Sequence, residues 1–292
     1  MSFSLFYMLC RWLYFLALMS LTGCSVFSAV LAPVRFRRYL RQKLHPLLVA
    51  SAIAVLLSII MLFAGQTALL AERWQDLQHL SLWKAVLQTH VGRVWQWQLI
   101  AAVTGVLALF ARDRDRPTVW LLSGVAQLIA LGFTGHAAMS DGMTGVIHRT
   151  SQVIHLMSAA FWGGGLIPVL LLMHTARQPD TRYDALKTLM CYSRYGHLAV
   201  ALVLLTGILN ALLILGWPPS GFHLYTQLLL LKTSLVGGMC LAALFNRYVL
   251  VPRFQHRGDS VRYVFILTTL AEILLAALVV LLVSVFATLE PA

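Results

Sequence analysis

Residues Ser151 to Met173 read SQVIHLMSAAFWGGGLIPVLLLM, and this stretch decides the fold class. It contains no Asp, Glu, Lys or Arg over a length that exceeds the ~20 apolar residues needed for an α-helix to cross a bilayer. The whole chain is 60% hydrophobic and only 11% charged, so the bilayer must serve as its solvent. Eight such segments are predicted as spans: Arg11–Val34, His45–Leu70, Val94–Ala111, Thr118–Gly135, Ser151–Met173, Gly196–Gly216, Gln227–Leu250 and Tyr263–Thr288.

The segments between the spans are short, which predicts one integral membrane domain over residues 1–292. The expected fold is all-α, a polytopic membrane helix bundle of eight transmembrane helices. We read Arg35–Lys43, RFRRYLRQK, as the first cytoplasmic loop. If successive loops alternate between the two sides of the membrane from there, most of the 22 basic residues lie in cytoplasmic loops, as the positive-inside rule requires. Both termini are then periplasmic, and the net charge of +12 reports topology, which excludes nucleic acid as a partner.

The longest outer segment, Ala71–Arg93, carries an apolar stripe at helical spacing. Trp74, Leu77, Leu80, Trp83 and Leu87 form this stripe. A stripe of this kind is typical of a helix lying in the membrane interface with its tryptophans at headgroup level.

Five metal-ligating side chains gather around the start of the fifth span. They are His136, Met139, Met143, His148 and His155. Imidazole suits copper and thioether favours Cu(I), and an intramembrane histidine is a functional candidate by default. His148, Gln152, His155 and Trp162 repeat at helical spacing and should share one helix face. The pattern predicts a copper site, Cu(I) or Cu(II), on the outer side of the bundle.

Further polar groups occur inside the later spans, notably Lys232, Asn246 and Glu272. Charges at that depth should point into the bundle. Two interpretations stay open for Lys232 and Glu272: an ion pair that fixes helix packing, or a carboxylate on an ion or proton path. Gly163, Gly164 and Gly165 are expected to permit close approach of a neighbouring helix.

These residues resemble the bacterial copper resistance protein D (CopD) family. The resemblance is carried by GHA at 135–137, IHLMSAAFWGGGLIPVLLLM at 154–173, YSRYGHLAVALVLLTGILNALL at 192–213, YTQLLLLKTSL at 225–235, FNRYVLVPRF at 245–254, and Glu272. Its detailed part lies within about residues 118–289. His136, His155, Trp162, Lys232, Asn246 and Glu272 fall on family positions, whereas Met139 and Met143 rest on their chemistry alone.

The resemblance implies a multi-pass protein of the bacterial inner membrane that moves copper from periplasm to cytoplasm beside a periplasmic CopC-like carrier. It implies a transporter rather than an enzyme, with redox activity left open. One alternative is a b-type haem protein that transfers electrons or reduces Cu(II), with His136 and His155, or His174 and His197, as axial ligands. Another is an anchor that holds a periplasmic copper chaperone.

Overall fold

The structure is a computed structural model, which describes residues 3–71, 80–135, 141–216, 224–254 and 258–286. All the secondary structure in these ranges is helical, as predicted. The ten α-helices are α1 (Phe3–Val26), α2 (Val34–Ala71), α3 (Leu80–Gln88), α4 (His90–Leu107), α5 (Arg116–Leu131), α6 (Gly142–Thr175), α7 (Pro179–Leu215), α8 (Leu224–Phe245), α9 (Val251–Arg253) and α10 (Gly258–Phe286). A π-helical turn, Phe27–Leu31, extends α1, and another, Asn246–Leu250, joins α8 to α9.

Seven of these helical segments are long and apolar enough to cross a membrane. They are Ser4–Leu31, Val34–Ala68, His90–Phe110, Gly142–Thr175, Pro179–Leu215, Leu224–Arg253 and Ser260–Val285. The predicted span Thr118–Gly135 is instead the shorter apolar helix Arg116–Leu131. Its 16 residues rise only about 24 Å, less than the ~30 Å hydrocarbon core.

Two predicted local structures differ from the observed ones. RFRRYLRQK is not a loop, because α2 begins at Val34 and continues through the basic residues into the apolar span. The turn between α1 and α2 is therefore very short, around Pro33. Of the predicted interfacial helix, Leu80–Gln88 is observed as α3, while Trp74 and Leu77 lie outside the described residues.

The core is centred on α1, which packs against α2, α5, α6 and α10. Gly23 and Gly164 form the tightest point of this packing. A Cβ atom on Gly164 would lie 1.9 Å from the Met19 carbonyl oxygen, and one on Gly23 would lie 2.2 Å from the Gly164 carbonyl carbon. The predicted role of the glycine triplet in close helix approach is thus confirmed at Gly164.

A hydrogen bond joins the first and last long helices. The Nε1 of Trp12 in α1 donates to the carbonyl oxygen of Ala277 in α10 over 3.0 Å.

Ion pairs join the beginnings of several helices to the basic part of α2. Arg35 makes a bidentate ion pair with Asp184 at the beginning of α7, with N···O distances of 2.8 Å for each of the two shortest contacts. Arg41 contacts Asp113 at 3.3 Å in the segment before α5. The beginnings of α2, α5 and α7 are therefore at one level.

Candidate functional site

One face of α6 carries the polar residues that the sequence predicted to line up. His148 is only 2% exposed and His155 is half-buried. Trp162, two helical turns beyond His155, is also buried. Met143 is different, since 74% of it is exposed at the first turn of α6. Five residues of α-helix turn Met143 about 140° away from His148, so the two do not share a face. His136 and Met139 lie outside the described residues.

His155 is held by a residue of α7. Its Nδ1 lies 3.0 Å from the Oγ1 of Thr206, and the Thr206 hydroxyl donates its proton to the carbonyl oxygen of Leu202, one turn back in α7, over 2.5 Å. With that proton used within the helix, Thr206 can accept from the imidazole in the tautomer that carries its hydrogen on Nδ1. The lone pair of His155 is then on Nε2, the arrangement found in metal-binding histidines whose other nitrogen is hydrogen-bonded.

A second pair joins the same two helices one turn nearer the outer end. The Nδ2 of Asn210 donates to the Oε1 of Gln152 over 2.9 Å. Asn210 is only 8% exposed, and its Oδ1 is buried with no hydrogen-bond partner in the described part of the chain. A buried carbonyl oxygen without a partner is costly, so this atom can accept a hydrogen bond from a visiting group.

An apolar layer closes the bundle beyond His155. Trp162 packs there with Ala199 and Val203 of α7 and Met239 of α8, and α10 contributes partly buried residues around them. The Tyr192 hydroxyl donates to the Trp162 carbonyl oxygen over 2.7 Å on the far side of this layer. A hydrated ion cannot cross such a layer without a rearrangement of the helices.

Glu272 forms a separate polar layer beyond the apolar one. It is 2% exposed, and its Oε1 accepts a hydrogen bond from the Nδ2 of Asn246 over 2.7 Å. The Thr268 hydroxyl donates in turn to the Oδ1 of Asn246, which fixes the orientation of the amide. Asn246 is the first residue of the π-helical turn after α8, and such turns are frequent at functional sites.

Lys232 does not pair with Glu272. Lys232 precedes Asn246 by fourteen residues of the same continuous helix, about 21 Å along its axis, so it lies on the outer side of the apolar layer. It is half-buried there. The ion-pair interpretation is therefore wrong for this structure.

No group of three His, Cys, Asp or Glu side chains is arranged for metal binding within the described ranges. The described candidate ligands for copper are thus His148 and His155, with Asn210 on the facing helix α7. The haem alternative is not supported: His174 and His197 are both exposed, and the Nδ1 of His197 lies 2.6 Å from the Ser193 carbonyl oxygen of its own helix.

Sequence reasoning missed the roles of Thr206 and Thr268. Both are hydroxyl residues in apolar helices, where threonine bonding to its own backbone is common, so neither stands out by composition. Thr206 and Asn210 are one helical turn apart, as are Gln152 and His155. This matching spacing is the sequence feature that could have predicted the pairing of α6 with α7.

Two family models match most of the chain. Residues 1–146 match the model for the copper resistance protein D-like N-terminal domain, and residues 186–286 match the model for copper resistance protein D. No solved structure matches the chain.

Three curated proteins are similar to the chain. It is 40% identical to inner membrane protein YebZ of Escherichia coli K12, over 96% of this chain and 97% of that protein. It is 33% identical to copper resistance protein D of Pseudomonas syringae pv. tomato, over 94% and 89% respectively. It is 31% identical to copper transport protein CutJ of Bacillus subtilis, over 72% of this chain and 39% of that protein. With its membrane-spanning helices, the chain is a multi-pass protein of the inner membrane, and it belongs to the copper resistance protein D family.

Proposed function

We propose that this protein is a transporter, rather than an enzyme, that moves copper ions from the periplasm towards the cytoplasm. Copper is its cargo, and His155 is the deeper of two histidine ligands on its path. The observation that carries the proposal is the contact between His155 and Thr206, since it leaves the Nε2 lone pair of a half-buried imidazole available to a metal ion.

His148 and Asn210 support entry of the ion from the outer end. His148 precedes His155 by two helical turns, about 10 Å, on the same face of α6. A copper ion arrives hydrated, and a water molecule bound to it can donate to the buried Oδ1 of Asn210. The two histidines and the amide form a short polar path along which the ion exchanges water for nitrogen. His136 and Met139 are proposed as ligands at its mouth.

Lys232 keeps the His155 site weak. Lys232 lies on the same outer side of the apolar layer as His155, and its ammonium group, when protonated, repels a bound cation. A conducting or transporting site must be favourable enough for an ion to enter and weak enough for it to leave. Lys232 therefore favours onward movement over storage.

The apolar layer around Trp162 acts as the barrier between the two sides. His155 lies on its outer side and Glu272 with Asn246 on its inner side. Passage requires movement of α7, α8 or α10 relative to α6, after which Glu272 offers the next oxygen ligand. The structure corresponds in this mechanism to a state closed at the layer.

We also propose that α5 is an eighth crossing and that both termini are periplasmic. At the beginning of α5, the Nη1 of Arg116 lies 3.4 Å from the Nε2 of His45 in the basic part of α2. Just after the end of α5, Gly132 packs against Val153 of α6. The helix thus connects the basic side of the bundle to the outer half of α6. A short helix crosses if the bilayer thins locally around it.

A periplasmic CopC-like copper-binding protein is the proposed partner that delivers copper to the outer end. The anchoring alternative requires only the outer segments, whereas transport requires the buried path. Loss of His155 should therefore abolish the activity of a transporter but leave that of an anchor unchanged.

Uptake of radioactive copper into spheroplasts tests the proposal. Cells producing His155→Ala should take up copper at the background rate, while His197→Ala, which removes an exposed imidazole from α7, should match the wild type. Membrane levels of each variant are measured by immunoblot. Normal uptake with His155→Ala would refute the site, and faster copper loss with the wild-type protein would refute the direction.

A further inference from the structure

We infer that the groove between α4 and α5 is a binding site for an anionic membrane phospholipid. The groove has a volume of about 950 Å³ and is open along the outer surface of the bundle. It is lined from His90, at the beginning of α4, to Thr104 near its end, and from Val119 to Phe133 along α5. This feature is separate from the copper path, which runs between α6, α7 and α8.

The length of the groove fits one leaflet. His90 and Thr104 are fourteen residues apart, which corresponds to about 21 Å along α4. One leaflet, headgroups included, is half of the ~40–45 Å bilayer. A lipid lying in the groove would therefore have its headgroup at the His90 end and its acyl chain beside Ala101, Thr104 and Val119.

The charge of the groove selects the headgroup. Arg93 and His90 both line its outer end, and none of its lining residues is acidic. Within the described ranges, Arg93 takes part in no ion pair. A guanidinium at headgroup level is matched by a lipid phosphate, and each basic residue adds about 1 kcal/mol of attraction to an anionic lipid.

The rest of the wall is suited to an acyl chain. Trp97 is 69% exposed along the groove, one turn deeper than Arg93, where tryptophan is favoured between headgroup and hydrocarbon. Ile100 and Leu122 continue the apolar surface inward. A groove that would bind a phosphate at one end and a hydrocarbon chain along the rest fits a phospholipid better than a soluble ligand.

Native mass spectrometry of the purified protein with added phosphatidylglycerol or phosphatidylcholine tests the inference. Wild-type protein should retain phosphatidylglycerol preferentially. Arg93→Gln should lower its affinity about fivefold, the factor equivalent to about 1 kcal/mol, without affecting phosphatidylcholine. Arg182→Gln, which removes an exposed charge from the first turn of α7, should leave both lipids unaffected.

A second variant separates the apolar wall from the charge. Ala126→Trp adds a large side chain on the exposed face of α5 that lines the groove, so it should weaken both lipids. The thermal melting of each variant checks that it is folded. Equal retention of the two lipids by the wild type, or unchanged phosphatidylglycerol retention in Arg93→Gln, would overturn the inference. So would cross-linking that shows this face covered by a second copy of the chain.

Discussion

The Nδ1 of His155 and the Oγ1 of Thr206 lie 3.0 Å apart across the boundary between α6 and α7, and the Thr206 proton is directed to the Leu202 carbonyl oxygen, which leaves Thr206 as the acceptor. The bond sets the tautomer of a half-buried imidazole and turns its other nitrogen into a potential ligand. A residue of one helix therefore decides whether the histidine of its neighbour can bind metal.

Replacement of Thr206 by valine should reduce copper binding without unfolding the protein. Valine keeps the branched shape but loses the oxygen that accepts from His155, and loss of such an outer partner lowers metal affinity by about 10–100-fold. Copper titration of the purified variants measures the change. Thr206→Ser keeps the acceptor and is the matched control; equal affinities for the valine and serine variants would contradict the role given to Thr206.

Replacement of Glu272 by glutamine should reduce copper uptake while leaving stability close to that of the wild type. Glutamine retains the Oε1 acceptor for the Asn246 amide, so the buried hydrogen bond is kept and only the carboxylate is lost. Uptake in spheroplasts and thermal unfolding of the purified variant measure the two properties. Full uptake in Glu272→Gln would show that this carboxylate serves packing alone.

Replacement of Gly164 by alanine should destabilise the bundle. The new methyl group would meet the Met19 carbonyl oxygen at 1.9 Å, and α1 would have to move outward. Overpacking of this kind costs about 1–3 kcal/mol. Gly196→Ala is the matched control, since a Cβ there meets no atom within 4 Å. Thermal unfolding in detergent should show a lower midpoint for Gly164→Ala only; equal midpoints would argue that α1 and α6 separate easily.

Single cysteines on the two sides of α5 should label from opposite faces of the membrane. Arg114 precedes α5 and Met143 begins α6, and both are exposed. A membrane-impermeant maleimide should modify Met143→Cys in intact spheroplasts and Arg114→Cys only after lysis. The protein with its four native cysteines alone provides the background. Labelling of both positions in intact cells would mean that α5 does not cross.

Much of the architecture follows from the sequence. Long runs without charge, such as Ser151–Met173, must be helical in a bilayer because every backbone polar group needs a partner within the segment. The shared face of His148, His155 and Trp162 follows from the helical repeat alone. Family membership also follows, since the motifs around Gly164 and Asn246 are read directly from the chain.

The tertiary structure decided the partners of these groups. Thr206 meets His155, and Asn246 rather than Lys232 meets Glu272, because separation along the helix axes sets which layers of neighbouring helices coincide. Arg35 likewise finds its ion-pair partner in Asp184, a residue distant in sequence. The helical repeat determines which side chains share one face of a helix. The packing of several helices determines which residues those side chains contact.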